Sequence, residues 1–178
     1  VEFQVSESAL IKTFGPAWQL LLIGDGQLAR HLAGMARQLD YRVVICDPRE
    51  AYEAAALPAG VQQSREMPDE AIQVVADQAR IAIVALAHDP RQDDLALSAA
   101  LDSQAFYIGA LGSARTAKTR RERLQSLGFS TKQIARIHGP AGLYIGSKRP
   151  AEIAVSILAE ITAIRNGIAA LASAPGTA

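Results

Sequence analysis

The chain has 178 residues, of which 49% are hydrophobic, 20% charged and 5% aromatic. That is the size and make-up of one globular domain, since single cores stop growing near ~250 residues; wholesale disorder and a collagen-like chain are excluded. One cysteine, Cys46, and three histidines exclude an internal disulfide and a thiolate or imidazole zinc cage.

No run of ~18 apolar residues suits a bilayer, and Val1-Glu2-Phe3-Gln4 carries no secretion signal, so a cytoplasmic chain with no membrane partner is expected. Net charge is zero, yet residues 1–102 hold 8 basic and 15 acidic side chains while residues 103–178 hold 10 and 3. Either one side of the molecule is basic and faces an anion or a partner, or the two halves interleave and the charges mix. A pI near 7.0 speaks against nucleic acid, whose binding needs a basic face to neutralise phosphates.

Residues 1–15 read as a leader or linker with one short helix, residues 16–172 as a single domain, and residues 173–178 as a frayed tail. Within the domain, residues 18–23 form a continuous apolar run suited to a buried parallel strand. Leu28, Leu32, Met35 and Leu39 then follow at helical spacing. Residues 41–46 predict a second strand, Asp47-Pro48-Arg49-Glu50 the start of a helix, and Val61 a short third strand. A helix over 68–76 precedes a fourth strand over 80–87, apolar throughout after Arg80. Asp89-Pro90-Arg91-Gln92 opens a helix ending near Leu101, residues 105–108 predict a fifth strand, and residues 113–127 a basic helix that Gly128 stops. A glycine-rich loop over 138–146 leads to Pro150 and a long last helix. Its stripe of Ile153, Ile157, Ile161, Ile164, Ile168 and Leu171 either packs on the sheet or forms a dimer seam. Strands alternating with helices predict an α/β, doubly wound, mostly parallel sheet of Rossmann type with a long C-terminal helix.

Gly24-Asp25-Gly26-Gln27-Leu28-Ala29 matches the G-x-G-x-x-G/A fingerprint between a strand and a helix. The first glycine permits a tight turn, the second lets a pyrophosphate approach the backbone, and the small Ala29 lets helix and strand close together. Asp47 stands where an acid would bond a ribose hydroxyl; it equally suits an N-cap, with proline at the first helical position and Glu50 completing a capping box. The Asp25 carboxylate, inside the loop, is expected to repel a phosphate. The alternative is a scaffold that keeps these glycines for packing alone.

After the fourth strand, His88 and Asp89 share the carboxyl edge where open α/β sheets bind ligands, and are the candidate acid–base groups. Asp93 and Asp94, one turn further, can hold a magnesium ion through water or simply favour the helix N-terminus. The turn Gly109-Ala110-Leu111-Gly112-Ser113 enters the basic helix. Its backbone N–H groups, with Ser113 as cap and Arg115 one turn in, make a phosphate cradle; the other basic residues of that helix spread over several faces. The loop over 138–147 either approaches a ligand or only turns tightly. Cys46 reads as a buried small hydrophobe.

LLLIGDGQLARHLA, YRVVICDPRE, IVALAHDPRQDDLAL, FYIGALGSARTAKTRRERL and IHGPAGLYIGSKRPAEIAVSILAEI together resemble the C-terminal Rossmann domain of the XdhC/CoxI family, accessory proteins of xanthine dehydrogenase and related molybdenum hydroxylases. The resemblance implies a protein that binds molybdenum cofactor (molybdopterin or its cytidine dinucleotide), protects it or assists its sulfuration, and delivers it to an apo-hydroxylase. It also implies a cysteine desulfurase as a partner. Gln27, Ala87 and Tyr144 stand where that family usually has a histidine, a threonine and an acid. A pterin phosphate or nucleotide is expected over the Gly24 and Gly109–Arg115 loops, with Asp47 and His88 at the rim and a homodimer as the assembly. The rival reading is a nicotinamide-dependent oxidoreductase, in which Asp47 selects NAD or Arg49 accepts the 2′-phosphate of NADP, although no Tyr-x-x-x-Lys pair accompanies it. A ligand-sensing or assembly module is the third.

Overall fold

The computed structural model describes residues 2–5, 10–13, 17–49, 56–75, 78–87 and 89–168. Strands β1 (Glu2–Val5) and β2 (Leu10–Thr13) pair antiparallel, so the stretch expected as a leader with a short helix is a ribbon instead. Glu2-Phe3-Gln4-Val5 alternates polar and apolar, the period of a strand.

The remaining chain runs β3 (Gln19–Ile23), α1 (Gln27–Gln38), β4 (Arg42–Cys46), β5 (Gln62–Ser64), α2 (Pro68–Gln73), β6 (Ile81–Ala85), α3 (Pro90–Asp102), β7 (Tyr107–Ala110), α4 (Ala114–Ser126), α5 (Thr131–Ile134), β8 (Ile137–His138) and α6 (Pro150–Arg165). Its strands build one all-parallel sheet in the order β5-β4-β3-β6-β7-β8. The chain winds outward from β3 to β5, then crosses back to β6 and winds to the other edge, so the switch point lies between β3 and β6. Open sheets of this kind leave a crevice at that point, outside the carboxyl ends of the strands.

Strand period explains the two layers. Leu20, Leu22, Val43, Ile45, Ala82 and Val84 face one side, with Leu32, Ala33 and Ala36 of α1 and Ile157 and Ile161 of α6. Leu21, Ile23, Ile81, Ile83 and Ala85 face the other, with Ile72 of α2, Leu97 of α3 and Leu124 of α4. Covered on both faces, β3 and β6 are nearly uninterrupted hydrophobic runs. Leu32, fully buried, illustrates the scale: truncating such a residue to alanine costs about 2–5 kcal/mol.

Helix α6 lies along α1, and its Ile157 and Ile161 are fully buried in their own domain. Ile157 and Ile161 therefore belong to the core, as the packing alternative expects, Ile153 and Ile164 pack partly buried against it, and Ile168 is exposed. Val61 precedes β5 instead of lying in it, and α6 stops at Arg165, where Asn166-Gly167 ends it with Gly167 at φ 73°. The helix expected after Asp47-Pro48, Leu171 and the tail lie outside the described residues. The two charge halves do interleave, since Arg120 pairs with Asp93 and Arg123 with Asp94.

Candidate functional site

Four hydrogen bonds continue the sheet beyond its strands and fix the rim. Gly24 N donates to Cys46 O, Leu86 N to Ile23 O, Leu111 N to Ala85 O and Ala141 N to Ala110 O, at 2.8–3.0 Å. The turn after β3 and the turn after β7 are thus anchored on either side of β6, at the same edge.

Gly24 has φ 103°, and a Cβ there would lie 3.0 Å from the backbone of Ala87; its absence lets the first turn press against the exit of β6. Gly26 differs. It is the N-cap of α1, makes no side-chain cap, and the first turn of α1 contains no acid. A Cβ on Gly26 would meet nothing within 4 Å. The leading N–H groups of α1 therefore open onto free space at the positive end of a helix of 12 residues, the arrangement that receives a phosphate. That space is a cavity of about 290 Å³ lined by Gly26, Gln27, Leu86, Leu111, Pro150 and Ile153, among others. It lies between the N-termini of α1 and α6, with apolar walls from β6, β7 and α6. Its volume sits near the lower end of small-molecule sites. A larger hollow of about 1030 Å³, lined by Gln19, Arg42, Gln62 and Val74, opens at the start of the strands; no glycine is among its described lining residues, and the glycine turn points to the smaller cavity.

The Asp25 carboxylate does not face that space unpaired. Arg30 grips it with Nε at 2.8 Å and Nη2 at 2.9 Å, so the expected repulsion of a phosphate is offset. Asp47 is 4% exposed and caps a turn by accepting Arg49 N at 3.1 Å. It also accepts Asp25 N, Arg49 Nε and Arg49 Nη2 at 2.9, 2.9 and 2.7 Å. Burial alone would raise its pKa, but these bonds outweigh it and hold the carboxyl at about 2.

His88 lies outside the described residues. Asp89 caps α3 through Arg91 N at 2.9 Å. Asp93 is buried 3.4 Å from Arg120, and Asp94 takes two bonds from Arg123 at 2.6 and 2.9 Å. With guanidinium groups as partners, neither carboxylate is set up for a metal, and among the described residues no group of three or more metal-ligating side chains occurs. Burial pushes the Asp93 carboxyl up to about 6 despite Arg120.

Gly109, expected in the second turn, lies inside β7, where it makes room for Tyr107, since a Cβ there would fall 2.7 Å from the ring. Gly112 precedes Ser113, which caps α4 by accepting Thr116 N at 3.1 Å. Arg115 is exposed on α4. Of this turn only Leu111 reaches the cavity, and its carbonyl is held by Arg120 Nη2 at 2.9 Å. Arg120 stands three residues after Ala117 and four before Leu124 on the buried face of α4, a spacing that marks it out in the sequence.

Glu160, which the sequence reading does not single out, ties the rim to α6 without lining the cavity. It follows Ile157 by three residues and precedes Ile164 by four, placing an acid on the buried stripe of α6. It accepts Tyr107 Oη at 2.6 Å and Gly142 N at 2.8 Å, and bonds His138 Nδ1 at 3.1 Å. Tyr107 and His138 stack with ring centroids 4.8 Å apart. The glycine-rich loop after β8 is thereby fastened to α6, and its role is to seat that helix over the rim.

A doubly wound parallel sheet, with a glycine turn at its switch point and a helix N-terminus facing a cavity, defines a Rossmann-type domain. The XdhC Rossmann domain family matches residues 20–161, and the chain belongs to that family. It is 30% identical over 164 residues to the uncharacterized protein YqeB of Escherichia coli K12, covering 89% of this chain and 29% of that protein. Over 84 residues it is 36% identical to the molybdenum cofactor insertion chaperone PaoD of the same organism, covering 47% and 26%. Over 168 residues it is 30% identical to a probable xanthine dehydrogenase subunit of Bacillus subtilis, covering 94% and 49%. The chain thus spans about half or less of these relatives. The crystal structure of a xanthine dehydrogenase from Bacillus halodurans superposes with a TM-score of 0.72 at 22% identity, covering 89% of this chain and 46% of that one, which establishes the shared fold.

Proposed function

We propose that this domain receives molybdenum cofactor as cargo and assists its insertion into an apo-hydroxylase of the xanthine dehydrogenase type in the cytoplasm. The observation that carries the reading is the cavity at the α1 N-terminus, where an open phosphate seat at Gly26 adjoins the apolar walls of Leu86, Leu111 and Ile153. A pterin phosphate has one end for each. The relative named as a molybdenum cofactor insertion chaperone supports the same cargo.

Cys46 of this chain is not suited to carry sulfur for sulfuration of the cofactor. Cys46 is buried, its Sγ bonds the Glu66 carbonyl at 3.3 Å, and burial, helped by Asp47, pushes its thiol up to about 11. A thiol so protonated does not attack a sulfur donor. A cysteine desulfurase is the partner that fits this gap.

The test is a fluorescence titration of the purified protein with molybdopterin. Saturable binding is expected, and Gly26→Val, which fills the open space, is expected to weaken it at least ~10-fold, about 1.4 kcal/mol. No binding by the wild-type chain overturns the reading.

A further inference from the structure

Among the described residues, none from the end of β4 lines the cavity described above. In a Rossmann domain the adenosine lies beyond the phosphate seat, at the end of the strand bearing the acid, where the ribose hydroxyls donate to it. Here that acid is Asp47, and its capacity is already spent. A carboxylate offers about four lone-pair positions; Asp47 accepts four N–H donors, from Asp25 N, Arg49 N, Arg49 Nε and Arg49 Nη2. The last two form a bidentate guanidinium pair, the arrangement that fixes a carboxylate most firmly. Asp89 and Asp25 add their charges to the field holding Arg49 in place. The Asp25 N–H, which in an open glycine turn would point at a phosphate, is turned towards Asp47.

We infer that Arg49 is a specificity-determining residue, a built-in occupant of the ribose subsite that keeps the fold from taking NAD, NADP or other adenine nucleotides. An incoming ribose would find no free acceptor on Asp47, and a 2′-phosphate would find the fork of Arg49 already engaged. A guest that enters from the α1–α6 side and stops at the phosphate seat meets neither obstacle. The inference rests on the proposed function only for the identity of that guest. The blocked subsite stands on its own geometry.

The experiment is calorimetric titration of NAD, NADP and AMP into the wild-type chain, Arg49→Ala and Arg49→Gln. The Arg49 side chain is 54% exposed, so the variants are expected to fold, and a thermal melt of each checks this. Two ribose hydroxyls donating to a freed carboxylate each add a hydrogen bond to a charged group, so either folded variant is expected to bind NAD and AMP at least ~10-fold more tightly than wild type. A smaller gain in both variants overturns the inference. So does wild-type chain that binds NADP ~10-fold more tightly than NAD, since Arg49 would then be a phosphate ligand. The molybdopterin titration is run separately on wild type; its failure removes the proposed cargo without touching the ratio read here.

Discussion

The phenolic hydroxyl of Tyr107 donates to Glu160 Oε2 across 2.6 Å, joining the strand that carries the second rim turn to the helix that roofs the cavity. The bond lies in the interior, with Tyr107 1% and Glu160 6% exposed, and it drives the Tyr107 pKa well above its usual range by burial and by the adjoining carboxylate. Tyr107→Phe removes a donor to a buried charge and leaves the carboxylate short of a partner, which costs about 1.5–3 kcal/mol. Denaturant unfolding of the variant is expected to show a lower midpoint with an unchanged slope; a midpoint equal to wild type would mean that the bond contributes nothing.

The same carboxylate sets an acid limit. Burial opposes ionisation of Glu160, but the bonds from His138, Tyr107 and Gly142 outweigh it and hold its pKa below the ordinary 4.5. A folded-state pKa below the unfolded one gives stability that is complete above the unfolded value and is lost as pH falls through the folded value. Glu160→Gln is therefore expected to differ most from wild type at neutral pH and to approach it as pH falls below the ordinary 4.5. Melting curves at several pH values measure this; a constant gap across the range contradicts it.

Asp93 titrates in the opposite sense. Its carboxyl is raised from 3.8 to about 6, so its protonated form is favoured on folding. Its contribution is present below the unfolded value and is lost as pH rises through about 6. Asp93→Asn mimics the protonated acid, and its stability relative to wild type is expected to rise between pH 4 and 6 and level off above. A relative stability that falls over that interval would show that the pairing with Arg120 dominates burial.

Much of this is legible in the residues. The strand runs, the fingerprint turn, the Asp89 and Ser113 caps and the course of the sheet all follow from local patterns that the tertiary fold respects. β8 is not, because Ile137-His138 is too short to show a period and is followed at once by glycine. The ribbon near the N-terminus escapes a sequence reading because Glu2–Val5 and Leu10–Thr13 are single short alternations. At the site, the identity of Asp47 as the rim acid is readable, but its saturation by Arg49 is not, since a side chain two residues along can as well turn to solvent. Arg120 and Glu160 are readable in principle, as charges on buried helical stripes. They escape notice because a charge is ordinarily assigned to the wet face.

Cys46 offers a chemical check on how the site divides labour. A buried thiol with its pKa pushed up to about 11 is expected to resist iodoacetamide at pH 8 in the folded chain and to react readily in denaturant. Intact-mass measurement over time reads both arms. Rapid labelling of the native protein would restore Cys46 as a candidate sulfur carrier and weaken the case for a separate donor.

The two fingerprint glycines separate folding from binding, because the same substitution meets different surroundings at each. At Gly24 a methyl group would press 3.0 Å from the Ala87 backbone and sit at φ 103°, a conformation that costs a side chain roughly 1–2 kcal/mol before the clash is counted. Gly24→Ala is expected to lower stability by at least ~2 kcal/mol through both effects. At Gly26 φ is −107°, which any residue adopts, and the methyl group projects into open space. Gly26→Ala is expected to melt within ~1 kcal/mol of wild type, since alanine is a poorer N-cap than glycine but its methyl group clashes with nothing. Its cost falls on the guest, since the methyl group occupies the approach to the α1 amides, and molybdopterin affinity is expected to drop several-fold. If Gly26→Ala instead loses stability and keeps its affinity, the open space at the α1 N-terminus is not where the cargo's phosphate rests.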